Sequence, residues 1–273
     1  MSWKWAALTP HPPVLVPEVG HGREKEAAAT LAGLSRLTEK LRRPDFLLLL
    51  SPHQPYAAGA LLVNAAPRLS GSFAPFGAPS VALAPAPPPG ERISTLLTHL
   101  ASKNVPVLTA ASPDLTRDQG TLVPLFFLRR AWGEENLPPV LAASPIGLDL
   151  HAAFRLGQAL ASFEDRAEWA LLASGDLSHR LTPDAPAGYS PAGKKFDAAV
   201  VEALSSRDPA SLLRLPSREI EDAGECGLRS VLAMLGLCGA LGKPVEVLSY
   251  EGPFGVGYCN AFSPLGEGEE GVP

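Results

Sequence analysis

Residues 45–53 read DFLLLLSPH, and this stretch decides the fold. Phe46–Leu50 is an unbroken apolar run, too short for a buried helix and far too short to cross a bilayer. A strand is apolar at every position when both of its faces are covered, as in a parallel sheet between layers of helices. The run stops at Ser51-Pro52 and delivers His53 just past its end. The same arrangement recurs twice. WKWAALTPH (3–11) delivers His11, and WALLASGDLSH (169–179) delivers His179. Open α/β sheets bind ligands at the carboxyl ends of their strands, so three imidazoles on one rim are the raw material of a metal site or an acid–base site.

Outward from these runs, strands alternate with helical periodicity. Strands are expected at Trp3–Leu8, Phe46–Leu50, Gly59–Ala65, Ser80–Ala84, Val105–Ala110, Pro139–Ala143, Trp169–Ala173, Val245–Tyr250 and Gly257–Phe262. Helices are expected at Arg23–Arg42, Glu91–Lys103, Gly120–Trp132 with Asp118 as its cap, Leu148–Phe163, Ala192–Ser205 and Cys226–Leu241. The alternation predicts an α/β fold with a mostly parallel sheet covered on both faces. APAPPPG (84–90) reads as a rigid loop inside one domain, because a strand–helix pattern resumes at once. EGPFGV (251–256) reads as a hairpin join, since it lacks the spacing and the following helix of a phosphate loop. One domain is expected over residues 1–265, followed by an acidic, frayed tail, GEGEEGVP, at 266–273.

Composition narrows the function classes. Of 273 residues, 46% are hydrophobic and only 19% charged, against roughly 25% charged in an average domain, so the chain is core-rich. A net charge of −5 argues against a nucleic-acid footprint or an anionic membrane surface as the main partner. Cys226, Cys238 and Cys259 are odd in number with no CxxC spacing, which disfavours a disulfide framework or a structural zinc knuckle. The first dozen residues carry no charged head before an unbroken apolar stretch, so a cytoplasmic protein is expected.

The chemistry-bearing residues each have two readings. His11 and His53 are either paired ligands brought together by adjacent strands or surface histidines on proline-stiffened turns. In SGDLSHR (174–180), Asp176 and His179 form either a carboxylate–imidazole pair suited to general base work or an ordinary loop with Asp176 capping a turn. Glu225, at the start of an apolar helix, is either a charge favoured by the helix dipole or the anionic member of a 2-His-1-carboxylate site. Cys226 competes for that place, because thiols at helix N-termini have lowered pKa values. His21, His99 and His151 lack such context and read as surface or helix residues.

Five stretches, HPPVLVPEVG (11–20), LLLLSPHQP (47–55), SGDLSHRL (174–181), GECGLRSVLAMLG (224–236) and SYEGPFGVGYCNA (249–261), carry a resemblance to the family of class III extradiol ring-cleavage dioxygenases, in its B-type subunits. The resemblance is closest to the branch related to Memo proteins and to AMMECR-fused dioxygenase-like proteins, and it spans nearly the whole chain. It implies a three-layer αβα sandwich with a non-haem iron(II) site. His11 and His53 match the two histidine ligands, Glu225 would match the carboxylate, and His179 matches the acid–base histidine. In Memo-like relatives a cysteine takes the third metal position, so the adjacent Glu225 and Cys226 leave both open. The family's Asp-His-Gly/Ser pattern appears here as RDQGTLVPL (117–125), with Gln119 where the histidine would stand. A glutamine can hydrogen-bond a substrate or a bound oxygen but cannot shuttle a proton near neutral pH.

The expectation is a metal-dependent, extradiol dioxygenase-like enzyme acting on a small catechol-type aromatic diol, with His179, Asp176 and Gln119 around the reacting groups. Zinc in the same pocket, working as a hydrolase or lyase, is the first alternative. A Memo-like metal-binding protein without dioxygenase activity is the second. Self-association into a homodimer is left open.

Overall fold

The computed structural model describes residues 2–266. Ten strands run through it: β1 Trp3–Thr9, β2 Phe46–Leu50, β3 Leu61–Asn64, β4 Gly71–Phe73, β5 Ala78–Leu83, β6 Val107–Ala110, β7 Val140–Ser144, β8 Trp169–Ser174, β9 Glu246–Glu251 and β10 Tyr258–Pro264. The helices are α1 Pro17–Gly20, α2 Ala28–Lys40, α3 Gly90–Ser102, α4 Gln119–Trp132, α5 Leu150–Ala161, α6 Pro191–Ser206, α7 Ala210–Leu213, α8 Ser217–Ala223 and α9 Leu228–Ala240. The expected acidic tail lies outside the described residues apart from Gly266.

Eight strands form one sheet in the order β6-β3-β7-β2-β8-β1-β10-β9, and β4 pairs with β5 in a separate two-stranded ribbon. Its centre, β7-β2-β8-β1, is parallel throughout. The sheet is mostly parallel, as expected, with antiparallel pairings toward its edges: β3 runs antiparallel to β7, and β10 runs antiparallel to both β1 and β9. The reasons are local. Residues 51–60 join β2 to β3 with no helix, so the chain has no crossover to bring it back and β3 runs the opposite way. A short loop likewise joins β9 to β10 as the expected hairpin.

Two cores explain the unbroken apolar runs. In β2, Leu48 and Leu50 point into the core formed with α3, α5, α6 and α9. Leu47 and Leu49 point into the opposite core, formed with α2 and α4. β8 divides in the same way, with Trp169, Leu171 and Ala173 on one face and Ala170 and Leu172 on the other. The period-two alternation of side chains therefore makes three layers, helices–sheet–helices, in a single α/β domain. No helix among the described residues is long and apolar enough to cross a membrane.

Helices α5 and α9 approach closely because each carries a glycine at the crossing. A Cβ on Gly157 would overlap the Ala233 carbonyl, and one on Gly236 would overlap the Phe154 carbonyl. Backbone atoms on rigid helices cannot swing aside as a side chain can. Substituting Gly157→Ala is therefore expected to lower stability by about 1–3 kcal/mol, the usual cost of overpacking, despite the better helix propensity of alanine. Urea unfolding measures this, and an unchanged or raised midpoint contradicts it.

Candidate metal centre

The parallel centre of the sheet sets the site. β1, β2 and β8 run the same way, so their C-terminal ends share one rim, and His11, His53 and the Asp176–His179 loop all follow these ends. His11 is 2% exposed. Its backbone N–H donates to Asp176 Oδ1 at 2.8 Å, and its Nδ1 meets Ser174 Oγ at 2.9 Å. With Nδ1 so engaged, Nε2 faces outward along the rim. It lies 3.0 Å from His53 Nε2 and 3.6 Å from Cys226 Sγ. The ligand atoms of His11, His53 and Cys226 all fall within 4.8 Å of one another.

Cys226 reaches the rim through a close backbone contact. A Cβ on Gly175 would overlap Gly227 Cα, so the loop before α9 seats directly on the loop after β8. The Cys226 N–H then donates to the Asp176 carbonyl at 3.4 Å, and the Asp176 N–H donates to Cys226 Sγ at 3.4 Å. Two glycines thus deliver the thiol to a histidine more than two hundred positions away in sequence. Local sequence has no signal for this pairing.

Glu225 lies outside the cluster. Its Oε2 accepts from the Leu228 N–H at 2.6 Å, and its Oε1 lies 3.7 Å from Arg229 Nη1, so the carboxylate is turned onto the first turn of α9. The adjacent pair therefore divides, the thiol facing the histidines and the carboxylate facing the helix.

The remaining expected residues surround the cluster. Gln119 Nε2 lies 3.0 Å from His53 Nε2 and donates to it. His179 Nδ1 donates to the Gly224 carbonyl at 2.7 Å, which leaves Nε2 with a lone pair, 3.9 Å from Asp176 Oδ2. Asp176 Oδ2 is also 3.9 Å from His11 Nε2, so one buried carboxylate stands between two imidazoles. Its pKa is raised above the usual carboxylate range, because burial outweighs the His11 N–H and the neighbouring rings. Burial lowers His11 to about 3, and desolvation followed by the His11 ring lowers His53 to about 4. Both imidazoles are thus neutral at pH values where a free histidine would be partly charged.

The Cys226 thiol is pushed well above its ordinary value, by burial first and then by the Asp176 and Glu225 carboxylates. This reverses the lowered pKa expected for a thiol at a helix N-terminus. The first residue of α9 is Leu228, so Cys226 sits ahead of the helix, among acids. Cys238 and Cys259 are free and buried, as expected.

Asp197 was not legible in the sequence. It is fully buried on α6, accepts from the Ser178 N–H at 2.8 Å, and accepts from the Tyr250 hydroxyl at 2.7 Å. It therefore ties the loop carrying Asp176 and His179 to α6 and β9. Its only sequence trace is a lone acid inside an otherwise apolar helical face.

The chain matches, over residues 5–261, the family described as the catalytic LigB subunit of aromatic ring-opening dioxygenase. It belongs to that family. Protein CA_C1420 of Clostridium acetobutylicum is 32% identical over 268 residues, covering 94% of this chain. The chain spans 57% of that relative's length. The fold is shared with the crystal structure of an uncharacterized protein, JW3007, from Escherichia coli K12, at a TM-score of 0.62 and 17% identity over 95% of this chain and 99% of that one.

Burial raises the Asp197 pKa to about 6, from 3.8 for a free aspartate. The folded state thus holds the proton more tightly than the unfolded chain. The stability this confers is complete below the unfolded value and is lost as pH rises through the folded one. The difference corresponds to about 2 kcal/mol between pH ~4 and pH ~8. Asp197→Asn, which cannot ionise, is expected to gain on the wild type by about this much over that range. Urea unfolding of both proteins at the two pH values tests it, and a pH-independent difference contradicts it.

Proposed function

We propose that the chain binds one transition metal ion through His11 Nε2, His53 Nε2 and Cys226 Sγ, and acts on a small catechol-type aromatic diol as an extradiol dioxygenase when that metal is iron(II). The observation that carries this reading is the convergence of two neutral imidazoles and a thiol beside the Asp176–His179 pair. The donor set fits a metal. Two imidazole nitrogens and a thiol sulfur within 4.8 Å of one another are donors of the kind that hold transition metals, and these three residues would hold the ion. The fixed His11 Nδ1 contact with Ser174 orients the other nitrogen, as partners of ligating histidines do.

When bound, the metal supplies Lewis-acid and redox chemistry at its open positions. The protein's own contribution is positioning and proton handling. His179 Nε2 accepts a proton from a diol hydroxyl, and Asp176 stabilises the imidazolium that results. With the His53 Nε2 lone pair given to a metal, the Gln119 amide would be free to donate to the diol, which it would hold without exchanging protons. The rim stands at the ends of rigid strands, which keeps these groups in fixed relation.

A second reading is favoured by one specific observation, the thiol at the third corner. Thiolate and imidazole together suit zinc, in a hydrolase, a lyase or a Memo-like metal-binding protein without oxygen chemistry, whereas the usual iron(II) oxygenase triad has a carboxylate at that corner.

Metal analysis after anaerobic purification, followed by oxygen uptake with catechol, tests both. Bound metal is expected in the wild type and in Glu225→Ala. In Cys226→Ala and His53→Ala it is expected to fall at least about tenfold in affinity. Loss in Glu225→Ala with retention in Cys226→Ala overturns the thiol assignment. Oxygen uptake by the iron-loaded protein supports the dioxygenase reading, and its absence over a range of diols, with metal bound, moves the assignment to the second reading.

A further inference from the structure

We infer that Asp118 is the positioning residue of the centre, one buried carboxylate that fixes both the loop carrying His53 and the start of α4 carrying Gln119. The inference rests on the metal reading above and adds to it the group that aims one of its ligands.

Asp118 is 4% exposed and its oxygens are engaged on two sides. Its Oδ1 accepts from the Thr121 N–H at 3.0 Å, which is the capping contact expected from sequence. The same oxygen accepts from the Ser51 hydroxyl, and Oδ2 accepts from the Gln54 side-chain amide. Ser51 and Gln54 bracket His53. The Ser51 oxygen in turn accepts from the His53 N–H at 3.2 Å. The loop is therefore gripped before and after the ligand by a single carboxylate on a different element.

The grip extends into the fold. Gln54 Oε1 accepts from Asn64 Nδ2 at 3.0 Å, and Asn64 exchanges two hydrogen bonds with the Ser112 backbone. The first turn of α4 also lies against the loop: a Cβ on Gly120 would overlap Ser51 Oγ and stand 3.3 Å from His53 Cδ2. Gln119, next in sequence to Asp118, is placed by the same geometry with its amide 3.0 Å from His53 Nε2.

Asp149 shows what capping alone requires. It caps α5 through one contact with the Ala152 N–H and makes no side-chain bond to the site. Asp118 makes the equivalent contact and two more, both to the His53 loop. No Lys or Arg pairs with Asp118 among the described residues, so its burial is supported by neutral donors, all of them on the two segments it joins.

Cobalt(II) binding to the full chain tests this, with affinity measured by competition and geometry by the visible absorption of the bound ion. Asp118→Asn is expected to weaken cobalt binding by about 10–100-fold and to alter the spectrum, with Ser51→Ala shifting both in the same direction. Asp149→Ala is expected to lower the unfolding midpoint while leaving affinity and spectrum as in the wild type. If Asp118→Asn behaves like Asp149→Ala, Asp118 is a helix cap only and the inference is overturned. Where Asp118→Asn does not fold, Ser51→Ala decides, and unchanged affinity and spectrum overturn it. A wild type that binds no cobalt sinks the metal reading. The positioning inference is then judged on the metal-free protein from the ring-proton resonances of His53, which move or broaden in Ser51→Ala if the network sets the ring and stay in place if it does not.

Discussion

Four parallel strands buried on both faces, β7, β2, β8 and β1, are the constraint on which the rest of this molecule depends. Their side chains alternate between two apolar cores, so neither face can be turned to water without exposing leucines and tryptophans. Parallel pairing then forces all four carboxyl ends to one rim. Most of the candidate site follows from what stands just beyond those ends, His11 after β1, His53 after β2, and Asp176 and His179 after β8, with Cys226 and Gln119 brought in from the helical layers. Had one of these strands run the other way, its side chains would emerge at the opposite edge of the sheet.

The rim is dry where it matters. His11 and Asp176 are almost entirely removed from water, and burial dominates the shifted pKa of each. Neutral imidazoles offer lone pairs, and a carboxyl between two rings can share a proton with either. The same desolvation, with the Asp176 and Glu225 carboxylates, holds the Cys226 thiol well above its ordinary value. Low dielectric, backbone anchoring of His11 and His179, and a second ring of Ser51, Ser174 and Asp118 make the centre a preorganised one.

Much of the scaffold was legible in the chain. Runs such as FLLLL (46–50) and WALLAS (169–174) gave strands in the right places because double-sided burial leaves an uninterrupted apolar signature. The hairpin join at 251–256 and the Asp118 cap were legible for local reasons, a turn-rich join and a short acid before a helical face. The antiparallel β3–β7 and β1–β10 pairings were not, because strand direction depends on which strands become neighbours. The short strand Gly71–Phe73 was also missed, since three residues carry too little period to register.

The sequence by itself determined an α/β chain with histidines delivered past strand ends and, through its motifs, the family to which it belongs. Those features are local, written in apolar periodicity and in short strings of residues. Tertiary structure alone decided which neighbour of the Glu225–Cys226 pair faces the histidines. Adjacent residues in a loop point in different directions, and the Gly175–Gly227 contact, with the Leu228 N–H and Arg229 holding the carboxylate, turns the thiol inward. It also decided that Asp197 and Asp118 serve the rim, since their partners lie on other elements. Hydrogen bonds across such separations form only once packing has brought the elements together, and no local pattern announces them.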